Sequence, residues 1–502
     1  MNPTHTVKEY IDLLQERGLL LSCGVEESLL SSPVDCLTFD NREVSGSALF
    51  ICKGAHFKED YLKSAQEKGA VAYISEKAYD CGRNAILVSD IRSAMVPLSQ
   101  LHFNNAPAAV KSVGITGTKG KSTTAYYMRA ILNDWFAATG KPDCAILSSI
   151  DTYDGVINEE SHITTPEALV LHRHFHHARE SSISHLVMEV SSQALKYQRV
   201  EGLTLDVAGF LNIGTDHISP VEHPDFEDYF QSKLKIAEHC KTLCINTDME
   251  HADRALAAAE GKCKVITFGS HESDTVYCSR VEKQADRICF DVRTPAFSDT
   301  FDITMPGLFN VSNALCAIAM SLELGVPKEY IRSGLHRARA GGRMQVYESR
   351  DRQVTVIVDY AHNRLSFDAL FRSVKVEYPG REIIIIFGCP GYKAYLRRQD
   401  LGEIAGREAD FVYITEEDSG EEPFESIAAD IAKAVAAENC PHLVLEDRGE
   451  CIRRAICDGD KPRLILLTGK GEETRQKRGM LYVDCPSDVD FTLQYLAEYD
   501  AE

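Results

Sequence analysis

The residues best placed to do chemistry are Gly114-Ile115-Thr116-Gly117-Thr118-Lys119-Gly120-Lys121-Ser122-Thr123. They lie between an apolar run and a helical pattern, AYYMRAILNDWF. Glycines at a strand-to-helix turn let backbone N–H groups approach phosphate oxygens, and the helix N-terminus adds a positive dipole. In such a turn Gly117, Thr118, Lys119, Gly120 and Thr123 cradle a nucleotide, Lys121 reaches its terminal phosphates, and the Ser122 hydroxyl ligates Mg²⁺. The spacing departs from the strict GxxxxGK[ST] form, because Ile115 stands at the first glycine position. The alternative is a solvated Gly/Lys turn.

Two further residues suit a metal. Glu189 ends the strand-like run HLVMEVSS, and His217 follows VAGFLNIGTDH. Loops at the C-terminal ends of strands are where an open parallel sheet binds ligands, and a carboxylate there holds Mg²⁺ directly or through water. Taken singly, the plainer readings prevail: Glu189 as a strand-end ion pair and His217 as a turn residue.

These residues need a scaffold, and the chain divides into three parts. Residues 1–109 alternate short β-like runs (Ser47–Gly54, Ala70–Glu76, Asn84–Asp90) with helical segments, as a small α/β unit does. Residues 110–338 begin at the glycine-rich turn. Strand candidates Cys144–Ile150, His185–Val190, Val207–Ile213, Thr242–Asn246 and Val265–Phe268 fit a parallel sheet covered by helices. Asp274–Pro306 alternates apolar and polar residues, as appended antiparallel hairpins would. Residues 339–502 repeat a doubly wound pattern, with strand candidates Val354–Val358, Glu382–Phe387, Phe411–Thr415, Leu443–Leu445 and Leu464–Thr468. The fold class expected is α/β in three domains.

The chain has 502 residues, too many for one ordinary domain. Its 54 Lys and Arg against 75 Asp and Glu give a net charge of −21, which argues against nonspecific binding to nucleic acid or anionic membranes. A phosphate ligand needs only a local cradle. No apolar run reaches the roughly 20 residues that cross a bilayer. MNPTHTVKEYIDLLQERG reads as an amphipathic helix and not a signal peptide. Sixteen cysteines are scattered without a CxxC pair, the pattern of reduced, mostly buried thiols in a cytoplasmic protein.

GITGTKGKSTT, ITTPEAL, MEVSSQAL, NIGTDH, YFQSK, MPGLFNVSNAL, GGRMQVYE, VDYAH, FGCPG and LTGKGEE occur in the order found in the Mur ligases. The chain most resembles their MurE branch, which adds the third residue of the peptidoglycan stem peptide. The resemblance runs from about Asp40 to Glu473. It implies a uridine-nucleotide-binding first domain, a central P-loop ATPase-like domain and a Rossmann-like third domain. It also implies the reaction: ATP phosphorylates a carboxylate of UDP-N-acetylmuramoyl-L-alanyl-D-glutamate, and an amino acid's amine attacks the acyl phosphate. ATP and Mg²⁺ are the implied cofactors, and a monomer is implied. Lys233, in YFQSK, matches a lysine that the family carries as a carbamate. An ammonium has no lone pair for a metal, whereas a carbamate offers anionic oxygen. Lys233 would then join Ser122, Glu189 and His217 as a metal ligand, with Lys121 completing the catalytic set; the plainer reading is a helix-surface lysine, as for Lys235. Arg343, Asp359, Asn310 and Asn313 match nucleotide contacts, although Asn310 could simply cap a helix. Asn41 in DNREV, Thr164, Thr165, Ser191 and Arg199 match contacts to the UDP-linked substrate. Arg398, Asp418, Gly469 and Glu473 match the amino-acid site.

Some positions depart from the family pattern. Gln193 and Glu472 stand where histidines are usual, and VDYAHTP reads VDYAHNR with Asn363 and Arg364. The DNPR motif, whose arginine binds the distal carboxylate of meso-diaminopimelate, is replaced by Thr415-Glu416-Glu417-Asp418-Ser419-Gly420-Glu421-Glu422. Five carboxylates without a cation favour a distal amine, as in L-lysine or L-ornithine. The competing view is a solvated acidic loop, with selection at Lys393 or Arg397. Other readings of the chain are a meso-diaminopimelate enzyme, a folylpolyglutamate-synthase-like ligase, and a nucleotide-binding paralogue without ligase activity.

Overall fold

The computed structural model describes residues 5–54, 57–161, 163–219, 222–284, 286–392, 395–459 and 461–501. Among these residues the largest sheet has eleven strands. From one edge they are Ser298–Ile303, Ile288–Arg293, Val276–Lys283, Lys264–Gly269, Thr242–Asn246, Val207–Phe210, Lys111–Thr116, His185–Glu189, Ala145–Leu147, Asp151–Tyr153 and Asn158–Glu160. The strands from Val276–Lys283 to Ala145–Leu147 are mutually parallel, and antiparallel strands flank them on both sides. Parallel strands are covered on both faces, so their sequences are continuously apolar; His185–Glu189 and Thr242–Asn246 are buried throughout.

Strand Lys111–Thr116 lies at the point where the chain order changes direction across this sheet. Ile115 pairs with Glu189 on one side and Gly209 on the other. The loops after residues 116, 189 and 210 therefore open at one level, in the crevice where such sheets bind ligands. The helix Lys121–Thr139 follows the first of these loops. Gly117 and Gly120 both have positive φ, 149° and 86°, which favours glycine at these turns.

The N-terminal sheet has five described strands, ordered Leu20–Cys23, Ala85–Val88, Ala70–Ser75, Ala48–Ile51 and Cys36–Thr38. The first pair is antiparallel and the others are parallel. Val7–Glu16 forms the expected amphipathic helix, started by a capping box between Thr6 and Glu9. The C-terminal sheet has six, ordered Gln345–Glu348, Val354–Asp359, Arg463–Thr468, Glu382–Phe387, Phe411–Ile414 and His442–Val444, antiparallel only at the first pair. A separate ribbon pairs Arg475–Arg478 with Leu481–Asp484. All sixteen cysteines are free thiols, and no described helix is long and apolar enough to cross a membrane.

The expected strand Cys144–Ile150 is shorter, Ala145–Leu147, because Ser148 turns the chain by bonding to Asp151. The hairpins expected over Asp274–Pro306 form as Val276–Lys283, Ile288–Arg293 and Ser298–Ile303.

Helix Lys328–Arg337 crosses Lys121–Thr139 at Gly334, where an added Cβ would overlap the Ile131 backbone. Gly334→Ala gains helix propensity of up to about 1 kcal/mol, but overpacking costs about 1–3 kcal/mol. The variant should unfold at a lower temperature in a calorimetric scan, and an unchanged or higher midpoint would show that the two helices can move apart freely.

Candidate active site

The glycine-rich turn is held from the neighbouring loop. Thr118 N–H donates to the Asn212 carbonyl at 3.1 Å, Lys119 N–H to Asn212 Oδ1 at 2.9 Å, and Asn212 Nδ2 to the Lys119 carbonyl at 3.0 Å. The Thr118 hydroxyl meets Tyr229 OH at 3.1 Å. Lys121 Nζ donates to the carbonyls of Gly117 and Thr118 at 3.0 and 3.2 Å. Asn313 packs on Gly120, where a Cβ would displace it, and Asn313 donates to Asn310 Oδ1 at 2.9 Å. Asn310 is the first residue of helix Asn310–Glu323 and donates to the Pro306 carbonyl, so it is not the helix cap. Thr123 is buried in the first turn of the helix after the loop.

Ser122 and Glu189 meet through Ser149. Ser149 N–H and hydroxyl donate to Glu189 Oε1 at 2.8 and 3.2 Å, and Ser122 Oγ lies 3.0 Å from Ser149 Oγ. These bonds fall on Oε1 and leave Oε2 of a carboxylate that is 1% exposed. Lys233 is 1% exposed, so it is no surface lysine, whereas Lys235 is exposed. Its Nζ donates to the Gly117 carbonyl at 2.9 Å and lies 4.8 Å from the Tyr229 ring centroid. Burial, with Lys121 and Lys119 nearby, pushes the Lys233 pKa well below its ordinary value despite the attraction of Asp216. His217 turns to Glu222, with Nδ1 at 2.8 Å from Oε1. That bond favours the tautomer whose Nε2 lone pair is free, the usual support for a ligating histidine. Gln193 donates to the same Glu222 oxygen at 3.3 Å. Ser122, Glu189 and His217 offer hydroxyl, carboxylate and imidazole donors, and a modified Lys233 would add an anionic oxygen, donor types that a divalent cation takes.

From the C-terminal part, Arg343 donates to Ser122 Oγ at 3.3 Å and stacks on Tyr360 at 4.5 Å. Asp359 accepts from the N–H groups of Met344 and Ala361 at 2.9 and 2.8 Å, which fixes its carboxylate beside Arg343. Asp216, passed over in the sequence although it adjoins His217, ties the parts together. It pairs with Arg397 at 2.9 Å and Lys119 at 3.7 Å and accepts from Asn363 Nδ2. Burial opposes its charge, but Lys119 and Arg397 hold its carboxyl well below the usual range. Burial draws Lys119 down to about 7 against the pull of Asp216. His362 Nδ1 donates to the Tyr360 carbonyl, leaving Nε2 to accept from Lys119 at 3.1 Å.

On the other flank, the Thr165 hydroxyl donates to the Glu189 carbonyl at 2.9 Å and accepts from Ser191 N–H at 3.0 Å. Arg199 donates to the Thr165 carbonyl at 3.1 Å and pairs with Glu167 at 3.0 Å. Lys53, just past the N-terminal strand Ala48–Ile51, also pairs with Glu167, at 2.8 Å. Thr164 is half-buried beside Thr165. Asn41 donates to Ser64 at 3.1 Å, and its carbonyl accepts from Lys68 at 2.9 Å.

The acidic segment is less free than its sequence implies, because cations reach it from distant positions. Glu416 pairs with Arg478 at 2.7 Å, Asp418 with Lys470 at 3.2 Å, and Glu422 with Arg398 at 2.7 Å. Arg398, 2% exposed, binds both Glu422 oxygens and Asp430, so it is a strut more than an open contact. Glu417 is buried and forms no ion pair among the described residues; it lies against Gly469, whose φ is 99°. Burial raises its pKa to about 7, opposed by Arg448 and Lys470. Glu473 accepts from Tyr360 OH at 2.7 Å and pairs with Lys470 at 3.0 Å. Glu416, Arg448, Lys470, Glu473, Arg478 and Asp488 line a cavity of about 560 Å³. Lys393 lies outside the described residues.

Residues 115–321 match the Mur ligase middle domain, and residues 342–471 match the domain described as Mur ligase, glutamate ligase domain. The chain is 36% identical over 476 residues to the UDP-N-acetylmuramoyl-L-alanyl-D-glutamate--L-lysine ligase of Enterococcus faecalis, covering 93% of this chain and 92% of that one. Its fold resembles a solved UDP-N-acetylmuramoyl-L-alanyl-D-glutamate--2,6-diaminopimelate ligase, with TM-score 0.65 at 21% identity over 99% of this chain and all of that one. It also resembles the MurF ligase of Thermotoga maritima solved in complex with ADP, with TM-score 0.61 at 16% identity over 93% and 97%.

Glu417 gives a pH test. Its folded pKa of about 7 lies above the ordinary 4.5. Between those values the folded state holds a proton that the unfolded state releases, so stability falls as pH rises through this window. At about 1.4 kcal/mol per unit, the loss is on the order of 3 kcal/mol. Denaturation of Glu417→Gln should show a flatter pH profile from about 4.5 to 7 and a more stable protein at pH 8. Parallel profiles for the two proteins would contradict the burial of a titrating Glu417.

Proposed function

The chain belongs to the Mur ligase family, and from that premise we propose that it is an ATP-dependent amide ligase adding L-lysine to UDP-N-acetylmuramoyl-L-alanyl-D-glutamate in peptidoglycan synthesis. The observation that carries the choice of amino acid is Glu417, a buried carboxylate without an ion-pair partner among the described residues, beside Gly469. A distal ammonium satisfies it, whereas a distal carboxylate would be repelled. No arginine stands within Glu416–Glu422 to serve diaminopimelate. The name of the Enterococcus relative supports the same choice. Glu417 replaces Asp418 as the favoured partner because Asp418 already accepts from Lys470 and Lys477 N–H.

We assign residues 1–109 to the uridine nucleotide, 110–338 to ATP and 339–502 to the amino acid, in a monomeric cytoplasmic enzyme. Thr164, Thr165, Ser191 and Arg199 present the dipeptide's terminal carboxylate at the end of the Glu189 strand. Gly117–Thr123 hold the ATP phosphates, with Lys121 swinging from its carbonyl partners to the transferring group. Carboxylate is a poor electrophile, so its oxygen first takes the γ-phosphoryl group and ADP departs. Lysine's amine then adds to the acyl carbon, phosphate leaves, and an amide remains. Positioning and charge neutralisation carry most of the rate. Ser122, Glu189, His217 and a carbamate on Lys233 would hold Mg²⁺, which neutralises phosphate charge. Lys233 suits that modification because burial disfavours its ammonium, and only the neutral amine can add CO₂. Arg343 and Asp359 close over the nucleotide from the third domain.

Phosphate release dependent on the UDP-dipeptide and amino acid tests the assignment. kcat/KM for L-lysine should exceed that for meso-diaminopimelate by at least about 100-fold, equivalent to roughly 3 kcal/mol. Glu417→Gln should narrow the ratio tenfold or more; a preference for diaminopimelate would reject the substrate assigned here. Lys121→Ala should lower turnover by about 10²–10³ without unfolding the protein, and near-normal ligation by that variant would remove the phosphate-loop assignment.

A further inference from the structure

Asp154 lies at the tip of the hairpin formed by Asp151–Tyr153 and Asn158–Glu160, followed by Gly155 with φ 92°. Its Oδ1 accepts from the N–H groups of Val156 and Ile157 at 2.9 and 2.7 Å. The other oxygen, Oδ2, faces two imidazoles, His174 Nδ1 at 2.7 Å and His177 Nδ1 at 2.8 Å. Both histidines come from helix Ala168–Glu180, where positions three apart share a face. Asp154 and His174 are buried, and His177 is half-buried at the solvent side. Burial opposes the charge of Asp154, yet the two imidazoles and two backbone N–H groups hold its carboxyl well below the usual range.

We propose that Asp154, His174 and His177 form a zinc site, separate from the nucleotide site. One donor atom from each residue lies within 4.8 Å of the other two. Two imidazole nitrogens and one carboxylate oxygen are a recurrent three-ligand zinc set, with water in the fourth position. The half-exposed edge at His177 gives that water access. Two imidazoles among three ligands favour zinc over Mg²⁺ and Ca²⁺, which take mostly oxygen, so the ion that accompanies ATP competes weakly here. Tetrahedral bonds of about 2.0–2.1 Å separate ligand atoms by roughly 3.4 Å. The side chains therefore need only a small outward movement to admit the ion, with each ring presenting its Nδ1 lone pair. The backbone bonds to Oδ1 already orient the carboxylate, as outer partners do in metal sites.

The ion would steady a segment on which the active site leans. Three residues before Asp154, Asp151 accepts from Tyr126 OH at 2.7 Å and pairs with Arg129 at 2.8 Å, both on the helix that begins at Lys121. Ser149 holds Glu189. A zinc ion at the hairpin tip would fasten this strand to helix Ala168–Glu180 without touching a substrate, as a positioning device.

Calorimetric titration of Zn²⁺ into chelator-treated full-length protein, without nucleotide or Mg²⁺, tests the site. One ion should bind with submicromolar affinity and raise the melting temperature. His174→Gln and His177→Gln should each weaken that binding at least tenfold, while Glu189→Gln should leave it unchanged. His177→Cys, loaded with Co²⁺, should show a thiolate-to-cobalt charge-transfer band, which checks the site in a variant that still offers three ligands. Zinc affinity unaltered in both glutamine variants, loss of binding in Glu189→Gln, no uptake by the wild type, or a folded His177→Cys protein without the band would overturn the proposal.

Discussion

Burying several cations against too few carboxylates is costly, and this fold does so around one loop. Lys119, Lys121, Lys233 and Arg343 converge on Gly117–Ser122. Lys121 and Lys233 both donate to the Gly117 carbonyl, and one dipole cannot offset two buried ammoniums, so the charge on Lys233 is disfavoured. Asp216 offsets part of the excess but is shared with Arg397. The remaining positive potential is what a triphosphate requires, and burial, with Lys121 and Lys119 close by, holds the pKa of Lys233 well below its ordinary value. The strand register sets the loops after residues 116, 189 and 210 at one level, which brings Lys119 beside Asp216.

Much of this site was legible in the sequence because its residues are local to single turns. The glycine-rich loop needs only ten consecutive positions to declare itself. The continuous apolar runs gave the parallel sheets, and alternation gave the hairpins over residues 276–303. What stayed hidden depends on partners far apart in the chain. Arg478 and Lys470 neutralise Glu416 and Asp418 from more than fifty positions away, so an acidic run looked freer than it is. Arg398 looked like an open ligand contact until Glu422 and Asp430 appeared on its guanidinium. The Arg475–Arg478 ribbon carries no strong strand pattern, because both of its strands are mostly exposed.

The positions that depart from the family pattern have structural explanations. Asn363 caps helix Arg364–Glu377 through Ser366 N–H and reaches Asp216, so one side chain serves both a helix start and a contact between parts. Arg364 pairs with Asp400 at 3.0 Å. Gln193 supports Glu222, which in turn orients His217. Glu472 packs on Gly341 and accepts from Gln345 at 2.6 Å.

The carbamate proposed on Lys233 would turn a buried amine, whose pKa burial pulls well below its ordinary value, into an anionic oxygen ligand. Carbon-13 NMR of the protein equilibrated with ¹³C-bicarbonate measures this directly. One carbamate resonance should appear in the wild type, persist in Lys235→Ala, and vanish in Lys233→Ala. A fully active wild-type enzyme without that resonance would contradict the central claim.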